Sequence, residues 1–186
     1  AAKENRLSCL KYLHENGCPW NDGAIVAAVR RGNVECLRYM FEQGNYSLGW
    51  HVCSIAAERG NLEVLQLAHE HKCPWDDTTL DMAARNGHMD CLRYAHQHGC
   101  PWSVFVSYAA AASGKLECLQ FVHEHGCPWD ELTPAHAALN GSLECLRYAH
   151  EHGCPWNSFT VSNAVDANSA ECLRYALERG CPREHC

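Results

Sequence analysis

The sequence predicts an all-α solenoid of about seven short helix–turn–helix units, and two recurrences carry that prediction. Cys-Pro-Trp begins at Cys18 and again at four positions that are 27 residues apart, namely Cys73, Cys100, Cys127 and Cys154. A glycine or asparagine keeps the same spacing at Asn5, Gly32, Gly60, Gly87, Gly114, Gly141 and Asn168. Fixed periods of roughly 20 to 50 residues are typical of solenoids, in which each unit buries its apolar face against its neighbours.

A third marker places the units along the chain. It recurs at Cys9, Cys36, Val64, Cys91, Cys118, Cys145 and Cys172, with one extra residue inserted between Gly44 and Gly60. We therefore expect residues 1–186 to form one repeat array with approximate units 1–20, 21–47, 48–75, 76–102, 103–129, 130–156 and 157–186. Ala1 aligns with the middle of a first helix, and neither end carries the polar residues of a solenoid cap, so we expect this array to be part of a longer one.

Each unit is expected to contain two short helices, and the fourth unit shows why. Residues 79–86 contain a narrow face of small apolar side chains, and Gly87 then interrupts the run. A position held only by Gly or Asn fits a left-handed backbone. Apolar residues recur at helical spacing in 89–98, and Gly99 stands where a left-handed C-cap belongs. Proline then directs the chain away, Trp102 supplies a large apolar anchor, and no strand is predicted.

Two stretches match a known repeat pattern. Residues 133–138 read Thr-Pro-Ala-His-Ala-Ala, and residues 55–65 read Ile-Ala-Ala-Glu-Arg-Gly-Asn-Leu-Glu-Val-Leu. The first resembles the ankyrin motif Thr-Pro-Leu-His-x-Ala, and the second is similar to the turn between the two ankyrin helices. The resemblance extends over all seven units, although ankyrin repeats run to about 33 residues. The missing residues fall where ankyrin repeats place a β-hairpin finger. The resemblance thus implies a short, Cys-Pro-Trp-bearing ankyrin-like array with shortened or absent fingers.

Composition argues against several functional classes. The formal charge is −7, and the 15 basic residues are scattered among 22 acidic ones, so no nucleic-acid surface is predicted. No apolar run is long enough to span a bilayer and no signal peptide is visible, so we expect an intracellular, cytoplasmic protein without a membrane partner. Without a catalytic Ser/His/Asp set, phosphate loop or nucleotide motif, no enzyme and no cofactor are predicted.

The chain is unusually rich in cysteine, with 14 residues, and in histidine, with 13. Cysteines of one unit lie nine residues apart along a helix and its exit, and equivalent cysteines of adjacent units are expected roughly 8 to 10 Å apart. Both separations are too long for disulfides, so reduced thiols are expected. A histidine, the cysteine four residues later and the first cysteine of the next unit are expected to meet. These trios are His14, Cys18 and Cys36; His69, Cys73 and Cys91; His96, Cys100 and Cys118; His123, Cys127 and Cys145; and His150, Cys154 and Cys172.

Two interpretations of these trios remain open. The second unit replaces all three members together, with Phe41, Asn45 and Val64, which suggests that the positions touch. Zinc is one interpretation, although a structural site needs a fourth ligand, and the candidates His71, His98, His125 and His152 point to the opposite side of the helix. The other is core packing, with cysteine as a small apolar residue and each histidine bonded to a thiol or carbonyl.

The contrast between constant and variable positions predicts a non-enzymatic protein–protein interaction scaffold. Core positions repeat almost verbatim, whereas the first helices differ from unit to unit. The ankyrin resemblance implies that a protein partner, unidentified, binds the side lined by first helices. The expected contacts are Arg30, Arg31, Glu58, Arg59, Arg85, Asn86 and Asn140. The array is expected to be monomeric or part of a larger assembly, and a zinc-stapled repeat protein is the alternative.

Overall fold

The structure, a computed structural model, describes residues 2–18, 22–43, 51–75 and 77–183. Trp20, Gly44 and Asn45, which the repeat pattern singles out, lie outside these ranges. The described residues form thirteen helices and no strand, which confirms the all-α prediction and the short connections without fingers. The helices are α1 (Ala2–Glu15), α2 (Asp22–Arg30), α3 (Val34–Gln43), α4 (His51–Glu58), α5 (Leu62–Glu70), α6 (Asp77–Arg85), α7 (Met89–Gln97), α8 (Val104–Ala112), α9 (Leu116–Glu124), α10 (Leu132–Leu139), α11 (Leu143–Glu151), α12 (Ser158–Asp166) and α13 (Ala170–Glu178).

The helices form two layers. The even-numbered helices are the first helices of their units and pack side by side, and the odd-numbered second helices form the other layer. Fully buried alanines lie between the first helices, for example Ala83, Ala110 and Ala137. Because these side chains are small, the first helices approach one another more closely than the second helices do. The array therefore curves with its first helices on the inner side.

Both helices of a unit end at a residue with positive φ, as the glycine spacing predicts. Gly87 has a φ of +69° and Gly99 a φ of +82°. Past the second helix, the Gly99 N–H donates to the His96 carbonyl and the Cys100 N–H to the Ala95 carbonyl, each at 3.0 Å. This is the Schellman arrangement, in which the residue after the glycine packs back on the helix. Cys100 is accordingly buried.

The first unit differs from the prediction. Asn5 was expected to mark a turn between two helices, but α1 continues through it from Ala2 to Glu15. The residues before Asn5 are Ala, Lys and Glu, which are strong helix formers, so the helix extends there. Since α1 packs against α3, it belongs to the layer of second helices. Ala2 is therefore not in the middle of a first helix.

The core is continuous along the array. Its largest fully buried side chains include one leucine from each of five consecutive second helices, namely Leu37, Leu65, Leu92, Leu119 and Leu146. Each leucine contributes roughly 2 kcal/mol or more of hydrophobic stabilisation. Within the described ranges, no helix is both long enough and apolar enough to cross a membrane.

Candidate functional site

Consecutive second helices are joined by a cluster of rings. His123 of α9 stacks on Trp129 of its own unit, with ring centroids 3.9 Å apart and planes 16° apart. The same imidazole places Nδ1 2.9 Å from the hydroxyl of Tyr148 in α11. When Nε2 carries the proton, Nδ1 accepts the Tyr148 O–H. One histidine thus connects the Cys-Pro-Trp exit of its unit to the next unit. We call each such set of rings a ring cluster.

The ring cluster recurs along the array. His69 and Trp75 stack at 4.1 Å, and His150 and Trp156 at 4.0 Å. The hydrogen bonds repeat as His14–Tyr39 at 3.0 Å, His69–Tyr94 at 2.9 Å and His150–Tyr175 at 2.9 Å. His96 is the exception, since Phe121 occupies the tyrosine position and meets its ring edge-on at 5.7 Å. The expected role of tryptophan as a packing anchor is confirmed wherever the structure describes it.

A second histidine of the next unit completes most clusters. His152 donates from Nδ1 to the Tyr148 carbonyl at 2.8 Å, and its ring lies 4.0 Å from that of Tyr148. It also meets His123 of the preceding unit edge-on, with centroids 5.6 Å apart. His98 and His125 repeat this arrangement against His69 and His96, at 4.9 Å each. These outer histidines therefore face the inner histidine of the preceding unit.

Three of the ring clusters lower the pKa of their inner histidine. Burial lowers the pKa of His123, and the nearby His152 lowers it further, against a smaller opposing effect of Glu124. Burial likewise lowers the pKa of His69 and His96, with His98 and His125 as the second cause. Burial raises the pKa of Tyr148, which keeps its hydroxyl protonated at neutral pH. A neutral imidazole protonated on Nε2 can accept the hydrogen of a protonated tyrosine hydroxyl, as the His123–Tyr148 distance allows.

The structure does not assemble the His/Cys/Cys trios into metal sites. In the described part of the chain, no three His, Cys, Asp or Glu side chains converge as ligands. The inner histidine bonds a tyrosine hydroxyl instead of the thiol or carbonyl expected from the sequence. The exit cysteines donate to a carbonyl at the start of their own unit: Cys127 to Ser103 at 3.3 Å, Cys154 to Asp130 at 3.2 Å, and Cys181 to Asn157 at 3.2 Å.

Three of the trio thiols are held in the protonated form by burial. Burial raises the pKa of Cys91 and of Cys118 to about 11, and that of Cys154 to about 12. A metal binds the thiolate, which such a pKa disfavours. The zinc alternative is therefore not favoured for the trios, whose members are His14, Cys18 and Cys36; His69, Cys73 and Cys91; His96, Cys100 and Cys118; His123, Cys127 and Cys145; and His150, Cys154 and Cys172.

The first helices present a different surface, which we call the first-helix face and define as the exposed side chains of α2, α4, α6, α8, α10 and α12 with the turns that follow them. Of the contacts predicted from the sequence, Glu58 is half-buried and the others are exposed there: Arg30, Arg31, Arg59, Arg85, Asn86 and Asn140. All lie at the C-terminal ends of first helices or in the turns.

Sequence reasoning missed the apolar side chains of this face. Phe105 is 59% exposed, Phe159 50% and Leu139 43%. Phe105 and Phe159 occupy the same register position, at the start of their helices. The available signal was a large aromatic residue at a position where the fourth unit has Thr78. Below them, Tyr108 is buried, donates to the Asp130 carboxylate at 2.6 Å, and stacks on His136 with centroids 5.6 Å apart.

Comparisons with known proteins agree with this architecture. A family model described as ankyrin repeats (many copies) matches residues 53–96, which contain most of α4 and α7 and the whole of α5 and α6. The crystal structure of the human ASB11 ankyrin repeat domain aligns with 84% of this chain and 83% of its own, with a TM-score of 0.71 and 17% sequence identity. Residues 53–96 thus match the ankyrin repeat family, and the array as a whole has the fold of an ankyrin repeat domain. Ankyrin repeats mediate protein–protein binding. No curated protein sequence matches the chain significantly.

In this ankyrin-like array, the Tyr148 hydroxyl is expected to stabilise the packing of consecutive units. Tyr148→Phe removes the hydrogen bond to His123 and should lower the free energy of unfolding by about 1 kcal/mol in urea titrations. Tyr12→Phe is the matched control, because Tyr12 has the same register position and is 66% exposed. Equal effects of the two substitutions would contradict a role for the ring cluster.

The lowered histidine pKa values predict a loss of stability in acid. The inner histidines bind protons less readily in the folded array than in the unfolded chain. Their neutral form therefore stabilises the fold fully above a pH of about 6.5, and this stabilisation is lost as the pH falls through the folded pKa values. The melting temperature should fall between pH 7.5 and pH 5.5. The triple variant His98→Gln, His125→Gln, His152→Gln should show a smaller fall, because it removes the neighbouring positive charges. If the melting temperature of the triple variant falls as far as that of the wild type, the inner and outer histidines are not coupled.

Metal removal tests the remaining interpretation of the trios. Elemental mass spectrometry on protein purified without chelators should find no stoichiometric zinc, and EDTA should leave the melting temperature unchanged, because the histidines and thiols already have protein partners. Several zinc ions per chain together with a large EDTA effect would make the trios ligands after all.

Proposed function

We propose that this ankyrin array is a non-enzymatic scaffold that binds another protein on its first-helix face. The observation that carries the proposal is the exposure of Phe105, Leu139 and Phe159 on adjacent first helices. Large apolar side chains at a solvent-exposed surface are typical anchors of protein interfaces. The described tryptophans, which follow the second helices in the Cys-Pro-Trp segments, are by contrast half-buried in the ring clusters.

The variation among units supports the same surface. The buried positions of α7, α9 and α11 repeat nearly verbatim, as Cys-Leu followed by a small apolar residue, because each unit must match its neighbours. First-helix starts differ, with His51, Thr78, Phe105, Leu132 and Phe159 in one register position. Such a surface distinguishes partners by side chains that differ from unit to unit, while the helices that carry them repeat regularly.

The thiols support a binding function and an intracellular location. The cysteines of the described ranges are thiols and form no disulfide there, as in proteins of reducing compartments. Cys53, a thiol outside the repeat register, is fully buried and thus poorly placed to act as a nucleophile.

Partner capture tests the proposal. The partner is isolated with the wild-type chain, identified by mass spectrometry, purified, and titrated against Phe105→Ala/Phe159→Ala. This variant should bind at least about tenfold more weakly, as expected for loss of two aromatic anchors. Arg30→Glu/Arg31→Glu should also alter binding if these two side chains are contacts. Tyr12→Ala, which removes an exposed aromatic side chain from the other layer, is the control. A partner that binds all variants equally would place its site elsewhere.

A further inference from the structure

The first-helix face carries its positive charge in one half of the array. Exposed arginines lie at the ends of α2, α4 and α6, namely Arg30, Arg31, Arg59 and Arg85. The corresponding positions after α8 and α10 hold uncharged residues, namely Ala112, Ser113, Leu139 and Asn140. The C-terminal ends of the first helices in units two to four are therefore basic, whereas units five to seven carry Phe105, Leu139 and Phe159, with the acidic Asp166 at the end of α12.

Most of this charge has no counterion among the residues that the structure describes. Arg85 forms an ion pair of 3.4 Å with Asp81 on its own helix, while its side chain remains 54% exposed. Arg30, Arg31 and Arg59 form no ion pair with any residue in the described ranges. Glu58 precedes Arg59 at the end of α4, and Asp22 and Asp81 lie nearer the N-termini of α2 and α6. An exposed guanidinium presents paired N–H donors that match the two oxygens of a carboxylate.

The basic and apolar regions belong to one continuous surface. The pKa of His136 is lowered first by burial and then by the positive charge of Arg85, against a smaller opposing effect of Asp130. Arg85 of unit four is thus close enough to influence His136 of unit six, on the first helix that carries Leu139. His136 itself stacks on Tyr108, whose ring meets that of Phe105 edge-on at 6.0 Å.

We propose that the partner presents an extended segment whose acidic side chains face units two to four and whose aromatic or aliphatic side chains face units five to seven. This inference rests on the proposed function and adds the chemistry and polarity of the bound segment. Neighbouring helices pack at about 10 Å, so units two to seven span roughly 50 Å. An extended chain covers that distance with about 15 residues.

The test is selection of a displayed library of random 16-residue peptides on the whole chain. Wild-type selections should be enriched in Asp and Glu at one end and in aromatic or aliphatic residues at the other. Arg31→Glu/Arg59→Glu should reverse the charged preference to Lys and Arg, and should weaken an acidic peptide selected on the wild type at least about tenfold. Arg38→Glu/Arg174→Glu is the matched control, because these exposed arginines lie on second helices and give the same change in charge.

The outcomes separate this inference from the function on which it rests. Peptides that lose binding in Phe105→Ala/Phe159→Ala but show no acidic preference overturn the inference and leave the function standing. Failure to select any peptide overturns both, and so does selection of peptides that no first-helix substitution affects.

Two further experiments test other occupants of this surface. A dimer in sedimentation that dissociates in Phe105→Ala/Phe159→Ala identifies a second copy as the occupant. Binding of a single-stranded 20-mer DNA at 150 mM salt, lost in Arg31→Glu/Arg59→Glu, identifies a nucleic acid. Either result also overturns the inference.

Discussion

The left-handed residue after each second helix determines where the following side chains lie. At Gly126, a φ of +76° lets the Cys127 N–H return to the Val122 carbonyl at 2.9 Å, which turns Cys127 into the core. Pro128 then directs the chain away from the helix, and Trp129 folds back onto His123. Every ring cluster depends on this turn. Lys72 adopts the same conformation with a φ of 59°, a geometry that costs a side chain of this kind roughly 1 kcal/mol.

The two layers contribute differently to the surface on which binding depends. Alanines between first helices allow close approach, while imidazole, indole and phenol rings fill a wider space between second helices. This difference in side-chain size curves the array, so that the side chains of the first-helix face lie close together on the inner side. It also separates roles, because the second helices provide the specific contacts between units and leave first-helix positions such as Phe105 and Arg59 unconstrained by stacking.

The repeat period, the helix pairs and the turn glycines were predictable because each is local and occurs several times. The partner of each inner histidine was not. His123 and Tyr148 are 25 residues apart, and pairing them requires the offset between stacked helices, which no local pattern contains. The trios were inferred from residues that vary together, yet shared packing produces such variation as readily as ligation. The exposure of Phe105 was missed for a related reason. The repeat pattern identifies positions that are the same in every unit, whereas a binding surface uses positions that differ among units.

His123 and Tyr148 are separated by 25 residues in the sequence, and this separation limits how the length of the protein can change. Each ring cluster takes its members from two consecutive units, so adding or removing a whole unit leaves every remaining cluster complete. A change of any other length displaces the tyrosine from the histidine. The single extra residue before Gly60 illustrates the rule, since there Phe41 and the buried Leu67 stand in place of the hydrogen-bonded pair. The array is thus free in its number of units but not in their length.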